Sequence, residues 1–262
     1  MAIIACKFGG TSTADADMFR KIRAILRENP DRRYVVLSAP GRCPGGEKVT
    51  DMLYRAWKNR STAAVVERFE AIARNLGVRM DFGAEIARAL QISEAETASR
   101  GEYLCARLFS AWSSVPFVDA AEVIRFDEDG RLDPEGTRRA LSDMARRRRR
   151  AVIPGFYGAD PGGRIVTFPR NGSDITGALV AAGVGAALYE NWTDVPGLMT
   201  GDPDKDPNAR VIPEISYADM RALCKNGAQV LHPDCLDAVE AGGIPTRIGC
   251  TMCPGLPGSL IH

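Results

Sequence analysis

Short runs of apolar residues alternate along the chain with longer stretches in which apolar residues recur at helical spacing. The short runs predict strands at 3–8, 34–37, 115–118, 122–126, 151–154, 165–168, 186–191, 245–248 and 259–261. The longer stretches predict helices at 18–26, 50–76, 83–112, 134–150, 173–184, 217–224 and 233–241. Because apolar strands alternate with helices, we expect an α/β fold whose largely parallel sheet carries helices on both faces.

Length and composition are those of an ordinary globular protein. The 262 residues are 45% hydrophobic and 26% charged, which fits one α/β domain or a compact two-lobed one and excludes intrinsic disorder. The 34 basic and 33 acidic residues leave a net charge of +1, unlike a nucleic-acid-binding protein. The sequence contains no apolar run long enough for a bilayer, and its first residues are typical of a strand rather than a signal peptide. We therefore expect a cytosolic protein that binds neither membranes nor nucleic acid.

The cysteines predict free thiols rather than a disulfide framework. There are seven, an odd number scattered along the chain. Cys250 and Cys253 form the only C-x-x-C pair in the sequence. The two histidines, His232 and His262, do not complete a zinc site with them. We interpret the pair as an incidental feature of a late loop and expect no protein-held metal.

Five consecutive arginines occupy positions 146–150. They close a predicted helix, and the carboxyl end of a helix favours cations. The alternative is a nucleic-acid or localisation patch. Because the remaining charge is balanced, we prefer the helix-end interpretation.

Three turns that follow predicted strands have the composition of phosphate-binding loops. They lie at 7–12 (Lys-Phe-Gly-Gly-Thr-Ser), 170–174 (Arg-Asn-Gly-Ser-Asp) and 191–197 (Asn-Trp-Thr-Asp-Val-Pro-Gly). Each has an ordinary structural alternative, since glycine pairs are common at strand ends and Ser173 or Asp174 suits a helix N-cap. The first turn matches neither a Walker A loop nor a dinucleotide fingerprint. Lys7, at a strand end beside two glycines, is expected to have no packing role.

Together with Ser-Arg-Gly-Glu at 99–102 and Leu-His-Pro at 231–233, these motifs occur in an order that closely resembles the catalytic domain of the aspartate kinases, in the amino-acid kinase family. The resemblance extends from residue 3 to residue 261. It implies a three-layer α/β/α sandwich around a mainly parallel sheet, formed by a single domain over 1–262. It also implies an amino-terminal lobe at about 1–155 for the amino acid and a carboxy-terminal lobe at about 156–262 for ATP.

The resemblance implies a role for each matching residue. Lys7 and Asp174 are the implied catalytic pair, in which Lys7 neutralises the transferring phosphoryl group. The implied nucleotide-binding residues are Lys7, Gly9, Gly10, Ser12, Thr193, Asp194, Asp202 and Pro203. The implied amino-acid-binding residues are Thr50, Glu102, Arg170 and Ser173. The implied activity is phosphorylation of the side-chain carboxylate of L-aspartate by ATP and Mg²⁺, in a homodimer.

Several positions depart from the family pattern. Asp204 stands where an arginine is usual and Gln229 where a lysine is usual, and both cations would face ATP phosphates. Pro169 and Asn171 replace glycines that usually precede Ser173. These departures motivate two alternatives: a family kinase that acts on another amino acid in a specialised pathway, and a weakened kinase-like protein that binds nucleotide and regulates a partner.

The given sequence stops at His262, where aspartate kinases normally continue into paired regulatory ACT domains. Either the natural protein lacks these domains or the sequence is an excised domain. In both cases we expect this chain, without ACT domains, to show no change in velocity or in aspartate half-saturation with lysine or threonine. Feedback regulation would then require a separate regulatory chain.

Overall fold

The computed structural model describes residues 2–43, 46–169, 171–201, 208–225, 231 and 233–262. Its strands are β1 (Ile4–Phe8), β2 (Arg32–Leu37), β3 (Ala151–Pro154), β4 (Tyr157–Ala159), β5 (Ile165–Thr167), β6 (Leu188–Thr193), β7 (Glu214–Ile215), β8 (Thr246–Cys250) and β9 (Ser259–Ile261). Its helices are α1 (Ala16–Glu28), α2 (Val49–Asn59), α3 (Ala63–Leu76), α4 (Phe82–Ala89), α5 (Glu94–Ser113), α6 (Ala120–Val123), α7 (Pro134–Arg147), α8 (Gly172–Gly183), α9 (Tyr217–Lys225) and α10 (Pro233–Ala241). A 3₁₀ turn, Thr11–Thr13, separates β1 from α1.

Seven of these strands form one sheet in the order β3-β2-β1-β6-β8-β9-β7. Strand β9 is antiparallel to β8, and the other neighbouring pairs of this sheet are parallel. The chain builds outward from β1 to β3 and returns through α8 to β6 on the other side of β1. Strand order therefore reverses between β1 and β6. In open α/β sheets the crevice at the carboxyl ends of such strands is the usual ligand site.

Side chains alternate along the central strands between two apolar cores. Cys6 and Phe8 of β1 belong to the core that helices α1 to α5 cover. Ala5 belongs to the opposite core, which includes residues of α7, α8 and α10. Since strand side chains point alternately to the two faces, one apolar strand supplies both cores. The result is the predicted α/β/α sandwich around a mainly parallel sheet.

The strand predicted at 122–126 is wrong, because this segment begins as the short helix α6. Asp119 caps that helix by accepting a hydrogen bond from the backbone N–H of Ala121 at 3.0 Å. The segment at 115–118 contributes only an isolated bridge, from Phe117 to Val152. Both segments are short, and in such segments a side-chain cap outweighs weak strand propensity.

The two long predicted helices each divide in two. The first breaks at Arg60, which adopts a left-handed φ of 52° after α2. The second breaks before Ser93, whose Oγ accepts from the N–H of Glu96 at 3.0 Å and starts α5. Helix α7 ends at Arg147, so Arg149 and Arg150 lie beyond it.

Among the described residues, no helix is long and apolar enough to cross a membrane. All seven cysteines are free. Cys250 is buried and Cys253 is exposed.

Candidate functional site

A cavity of about 460 Å³ opens at the carboxyl ends of the central strands. We call it the strand-end cavity. It lies between the ends of β1 and β2, the start of α2, the middle of α5 and the amino end of α8. Its polar lining includes Lys7, Ser38, Thr50, Glu102, Ser173, Asp174 and Asp194.

Lys7 is held at this cavity by two buried partners. Its Nζ lies 2.6 Å from Oδ1 of Asp174 and donates to Oδ1 of Asn191 at 3.3 Å. The side-chain amide of Asn191 in turn donates to Oδ1 of Asp174 at 2.9 Å. Parallel pairing of β1 and β6 places Lys7 opposite Asn191, while Asp174 lies in the first turn of α8. The ammonium is therefore fixed in position before any ligand binds.

The expectation that Lys7 has no packing role is wrong. Only 8% of the residue is exposed, and its ion pair with Asp174 compensates a second buried charge. A Cβ atom on Gly177 of α8 would lie 2.9 Å from Cβ of Lys7. The absence of a side chain at Gly177 thus lets α8 approach β1 closely.

Glu102 places a buried carboxylate on the same cavity. Its Oε2 is buried without a hydrogen-bond partner among the described residues. Burial raises the pKa of Glu102 to about 8, and a hydrogen bond with the backbone of Ala39 offsets part of the rise. An unpaired buried carboxylate is costly, and its chemical complement is a cation that carries N–H donors. The cavity therefore suits a ligand with an ammonium group.

The amino end of α8 provides an anion site. Asn171 precedes the helix with a left-handed φ of 65°, a conformation that asparagine tolerates better than most residues. The departure from glycine at this position is thus accommodated in the structure. Gly172, Ser173 and Asp174 then form the first turn and line the cavity. The N–H groups of Gly172 and Asp174 donate to the carbonyls of Pro169 at 3.0 Å and Asn171 at 2.9 Å. The turn therefore favours a phosphate or carboxylate through the positive end of the helix dipole and the hydroxyl of Ser173.

Two loops are packed together at the cavity rim. The N–H of Gly41 donates to the carbonyl of Gly10 at 2.7 Å. A Cβ on Gly41 would lie 2.5 Å from the carbonyl carbon of Gly10, so only glycine permits this approach. Arg68 of α3 donates to the carbonyls of Ala14 at 2.6 Å and Gly41 at 3.3 Å. These contacts fix the loop after β1 against the loop after β2.

A second close approach positions Ser173. A Cβ on Gly155, which follows β3, would lie 2.6 Å from Oγ of Ser173. The next residue, Phe156, has a positive φ of 77°, which is costly for a bulky side chain. Its N–H is held by Oγ1 of Thr176 at 3.0 Å, and Phe156 lines the cavity. The turn after β3 thus sets the position of α8.

The structure brings most of the described candidate residues to one place. Those that line the strand-end cavity are Lys7, Gly10, Thr50, Glu102, Ser173, Asp174 and Asp194. Gly9, Ser12 and Thr193 are outside that lining. Ser12 is buried and shares a 2.8 Å hydrogen bond with Thr251. The N–H of Gly9 donates to the carbonyl of Trp192 at 3.0 Å, and Thr193 donates to Asp194 at 3.1 Å.

Six positions singled out from the sequence lie outside the described residues: Arg170, Asp202, Pro203, Asp204, Gln229 and His232. Sequence reasoning also missed two features of the site. One is Asn191 as a partner of Lys7, and the other is the contribution of the loop after β2, including Ser38 and Gly41. The available signal for the loop was its Pro/Gly-rich composition at the end of a buried strand.

Among the described residues, no cluster of three or more histidine, cysteine or acidic side chains is arranged to hold a metal ion. The carboxylates on the cavity lining include Asp174 and Asp194, from α8 and from the residue after β6.

Parallel-sheet topology, a fixed lysine and a helix amino end at the strand termini define a site of the phosphoryl-transfer type. The amino acid kinase family model matches residues 2–250, and the chain belongs to that family. Aspartokinase 3 of Bacillus subtilis is 32% identical over 97% of this chain and 62% of its own length.

Solved structures give the same picture. The aspartate kinase of Clostridium acetobutylicum superposes with a TM-score of 0.90 at 36% identity, over 100% of this chain and 62% of that one. Aspartokinase III of Escherichia coli, solved with aspartate and ADP, superposes with a TM-score of 0.87 at 28% identity, over 99% and 64%. The chain thus spans about three-fifths of the length of these relatives.

Proposed function

We propose that this chain transfers the γ-phosphoryl group of ATP to the side-chain carboxylate of L-aspartate, giving 4-phospho-L-aspartate and ADP. The observation that carries the proposal is that one cavity is lined by the fixed ammonium of Lys7 and by the buried carboxylate of Glu102, whose Oε2 has no hydrogen-bond partner among the described residues. Similarity to aspartokinases, one of them solved with aspartate and ADP, supports these substrates.

Glu102 binds the α-ammonium group of the amino acid in this proposal. Its Oε2, which has no hydrogen-bond partner among the described residues, accepts the N–H donors of that group. Thr50 and Ser173 add hydroxyl groups on the same lining. A charge-assisted contact in a buried site is stronger than the same contact in water. It orients aspartate with its side chain toward Lys7.

The chemical step requires positioning and charge compensation. An oxygen of the aspartate side chain forms a bond to the γ-phosphorus, and the bond from that phosphorus to the bridging oxygen of ADP breaks. The attacking carboxylate is already ionised at neutral pH, so no base has to remove a proton. Lys7 neutralises charge on the phosphoryl oxygens. Asp174 and Asn191 hold Lys7 in place, and the positive end of the α8 dipole stabilises the negative charge on the same oxygens.

Mg²⁺ would enter with ATP and neutralise its phosphate oxygens. Magnesium is usually held by one or two carboxylates together with substrate phosphates rather than by a protein cage. Asp174 and Asp194 are hard oxygen donors on the cavity lining and are the residues that would hold it.

The division of labour between lobes is part of the proposal. Thr50 and Glu102 come from 1–155, the amino-acid lobe, while Ser173, Asp174 and Asp194 come from 156–262, the ATP lobe. Lys7 on the phosphoryl group comes from the first lobe and Ser173 on the amino acid from the second, so each lobe also contributes to the other substrate's site where they meet at the cavity. A homodimer and a cytosolic location complete the proposal, and free thiols are compatible with a reducing compartment.

The test is hydroxylamine trapping of the acyl phosphate formed with Mg-ATP and each member of an amino-acid panel. We expect a trapped product with L-aspartate, and a much higher aspartate KM with little change in ATP KM for Glu102→Gln. Product with a different amino acid would replace the substrate assignment. ATP binding in calorimetry without trapped product from any amino acid would favour the kinase-like regulatory alternative.

A further inference from the structure

A second cavity, of about 560 Å³, lies at the amino ends of strands β2 and β3, whereas the strand-end cavity lies at the carboxyl ends of the strands. It is bounded by the last turn of α1, the end of α5 and the residues that precede β2 and β3. We call it the basic cavity because six arginines line it. They are Arg23, Arg27, Arg32, Arg33, Arg149 and Arg150.

Positive charge in the basic cavity exceeds what the described residues compensate. Arg32 pairs with buried Glu190 at 2.8 Å and with exposed Glu28 at 3.9 Å. Arg33 pairs with Asp31 at 3.4 Å. Arg23, Arg27, Arg149 and Arg150 have no ion pair within the part of the chain that the structure describes.

Helix dipoles do not account for this excess. The carboxyl ends of α1 and α5 border the cavity, and each contributes about half a negative charge. Together they offset about one of the unpaired guanidinium groups. The helix-end interpretation of 146–150 is also incomplete, because α7 ends at Arg147 and the last two arginines of the run line the cavity.

The cavity is preorganised and has an apolar floor. Arg32 is fixed by Glu190 and by the carbonyl of Ile25, to which it donates at 2.6 Å. The guanidinium of Arg23 lies 3.9 Å from the ring centroid of Trp112. The apolar lining residues are Leu26, Val35, Phe109 and Val115. A floor of this kind accommodates an organic group while the arginines bind its charges.

We propose that the basic cavity binds a small polyphosphate, either free or attached to an organic group that packs on the apolar floor. Guanidinium groups match phosphate oxygens in bidentate geometry, and several unpaired arginines require a ligand with more than one negative charge. The volume lies in the range of small-molecule sites. An extended nucleic acid is disfavoured because the site is concave and the chain has a net charge of only +1. This site is separate from the proposed catalytic cavity and does not depend on that function.

The test is isothermal titration of the full chain with inorganic tripolyphosphate, with CTP and with a single-stranded RNA 20-mer. The variant is Arg149→Ala/Arg150→Ala, which removes two exposed and unpaired cations. The matched control is Arg138→Ala/Arg146→Ala, which removes two exposed arginines from the outer side of α7. Neither variant touches a buried side chain, so both are expected to fold.

We expect a tripolyphosphate or CTP site whose affinity falls by about tenfold or more in the Arg149/Arg150 variant and stays within about twofold in the control. Tighter binding of CTP than of tripolyphosphate would identify a ligand with an organic group. Equal binding of the two would identify an inorganic polyphosphate. Both results would support the site. Three results would overturn the proposal. They are no binding, equal losses in variant and control, and tighter binding of the RNA than of either small ligand.

Discussion

Replacing Glu102 by glutamine is expected to stabilise the fold. The pKa of this carboxyl rises from an ordinary 4.5 to about 8 on folding because it is buried. The unfolded chain therefore releases the Glu102 proton above pH 4.5, while the folded chain keeps it until pH 8. The contribution of Glu102 to the free energy of unfolding is therefore greatest below pH 4.5. It falls as pH rises from 4.5 to 8 and does not change further above pH 8. Glutamine resembles the protonated carboxyl in shape and carries no such titration.

The size of the effect follows from the pKa difference. At pH 7 the unfolded state has released this proton and the folded state has mostly kept it. The relevant interval is the one from the unfolded-state pKa of 4.5 to pH 7, which is about 2.5 pH units. At 1.36 kcal/mol per unit the glutamine variant should gain about 3 kcal/mol at pH 7. Near pH 4.5 the gain should fall below about 0.5 kcal/mol.

Urea unfolding of wild type and Glu102→Gln at pH 4.5, 6, 7 and 8 measures this difference directly. The matched control is Glu94→Gln, an exposed position in the first turn of the same helix. We expect its stability difference to stay below about 0.5 kcal/mol and to vary little with pH. A Glu102→Gln difference that does not change between pH 4.5 and 8 would refute the argument, since the carboxyl would then be ionised in the fold at an ordinary pKa.

Three further predictions concern catalysis and packing. If ionised Glu102 binds the substrate ammonium, aspartate KM should fall about 50-fold from pH 6 to pH 8 for a pKa of 8, and a flat profile in initial-rate assays would contradict this. Lys7→Met should abolish turnover and cost about 3 kcal/mol, because it removes the cation that compensates the buried charge of Asp174. Lys7→Met/Asp174→Asn should recover most of that stability in urea unfolding without recovering turnover. Gly41→Ala should displace the loop at Gly10 and lower kcat about tenfold or more. The free energy of unfolding should fall by about 1–3 kcal/mol. An unchanged kcat would show that the contact between these loops is irrelevant to catalysis.

The sheet and its covering helices could be predicted from the sequence because the strands are strongly apolar. The central strand β1 supplies residues to both cores, and such a run has few alternatives to a buried strand. The secondary structure of the segments near 115–126 could not be predicted from the sequence in the same way. There the outcome depends on Asp119, whose carboxylate caps α6 and also accepts from the hydroxyl of Tyr157 at 2.7 Å. Contacts of the second kind join residues far apart in the sequence, so no local pattern reports them.

Residues of the candidate site could be predicted from the sequence where a residue type has a characteristic chemical role. Lys7, Glu102 and Asp174 were singled out by motif order, and all three line the strand-end cavity. Asn191 was not recognised as the partner of Lys7, because that contact depends on the register of β1 against β6. The orphaned oxygen of Glu102 was equally invisible, since burial and hydrogen bonding are properties of the folded chain.

A comparison of the two buried glutamates, Glu102 and Glu190, shows that this fold can provide partners for a buried carboxylate. The missing partner of Glu102 is therefore specific to its position. Glu190 is 2% exposed, yet it accepts from Arg32 at 2.8 and 3.1 Å, from the indole N–H of Trp192 at 3.0 Å and from Arg247 at 3.4 Å. A chain rich in arginine thus supplies full compensation to a buried carboxylate where the role is structural. At Glu102, which is 5% exposed, the described residues supply no partner to Oε2, and the protein loses stability above pH 4.5. Such a loss is typical of a site where the partner arrives with the ligand, and the cavity beside Oε2 leaves room for an ammonium group to be that partner.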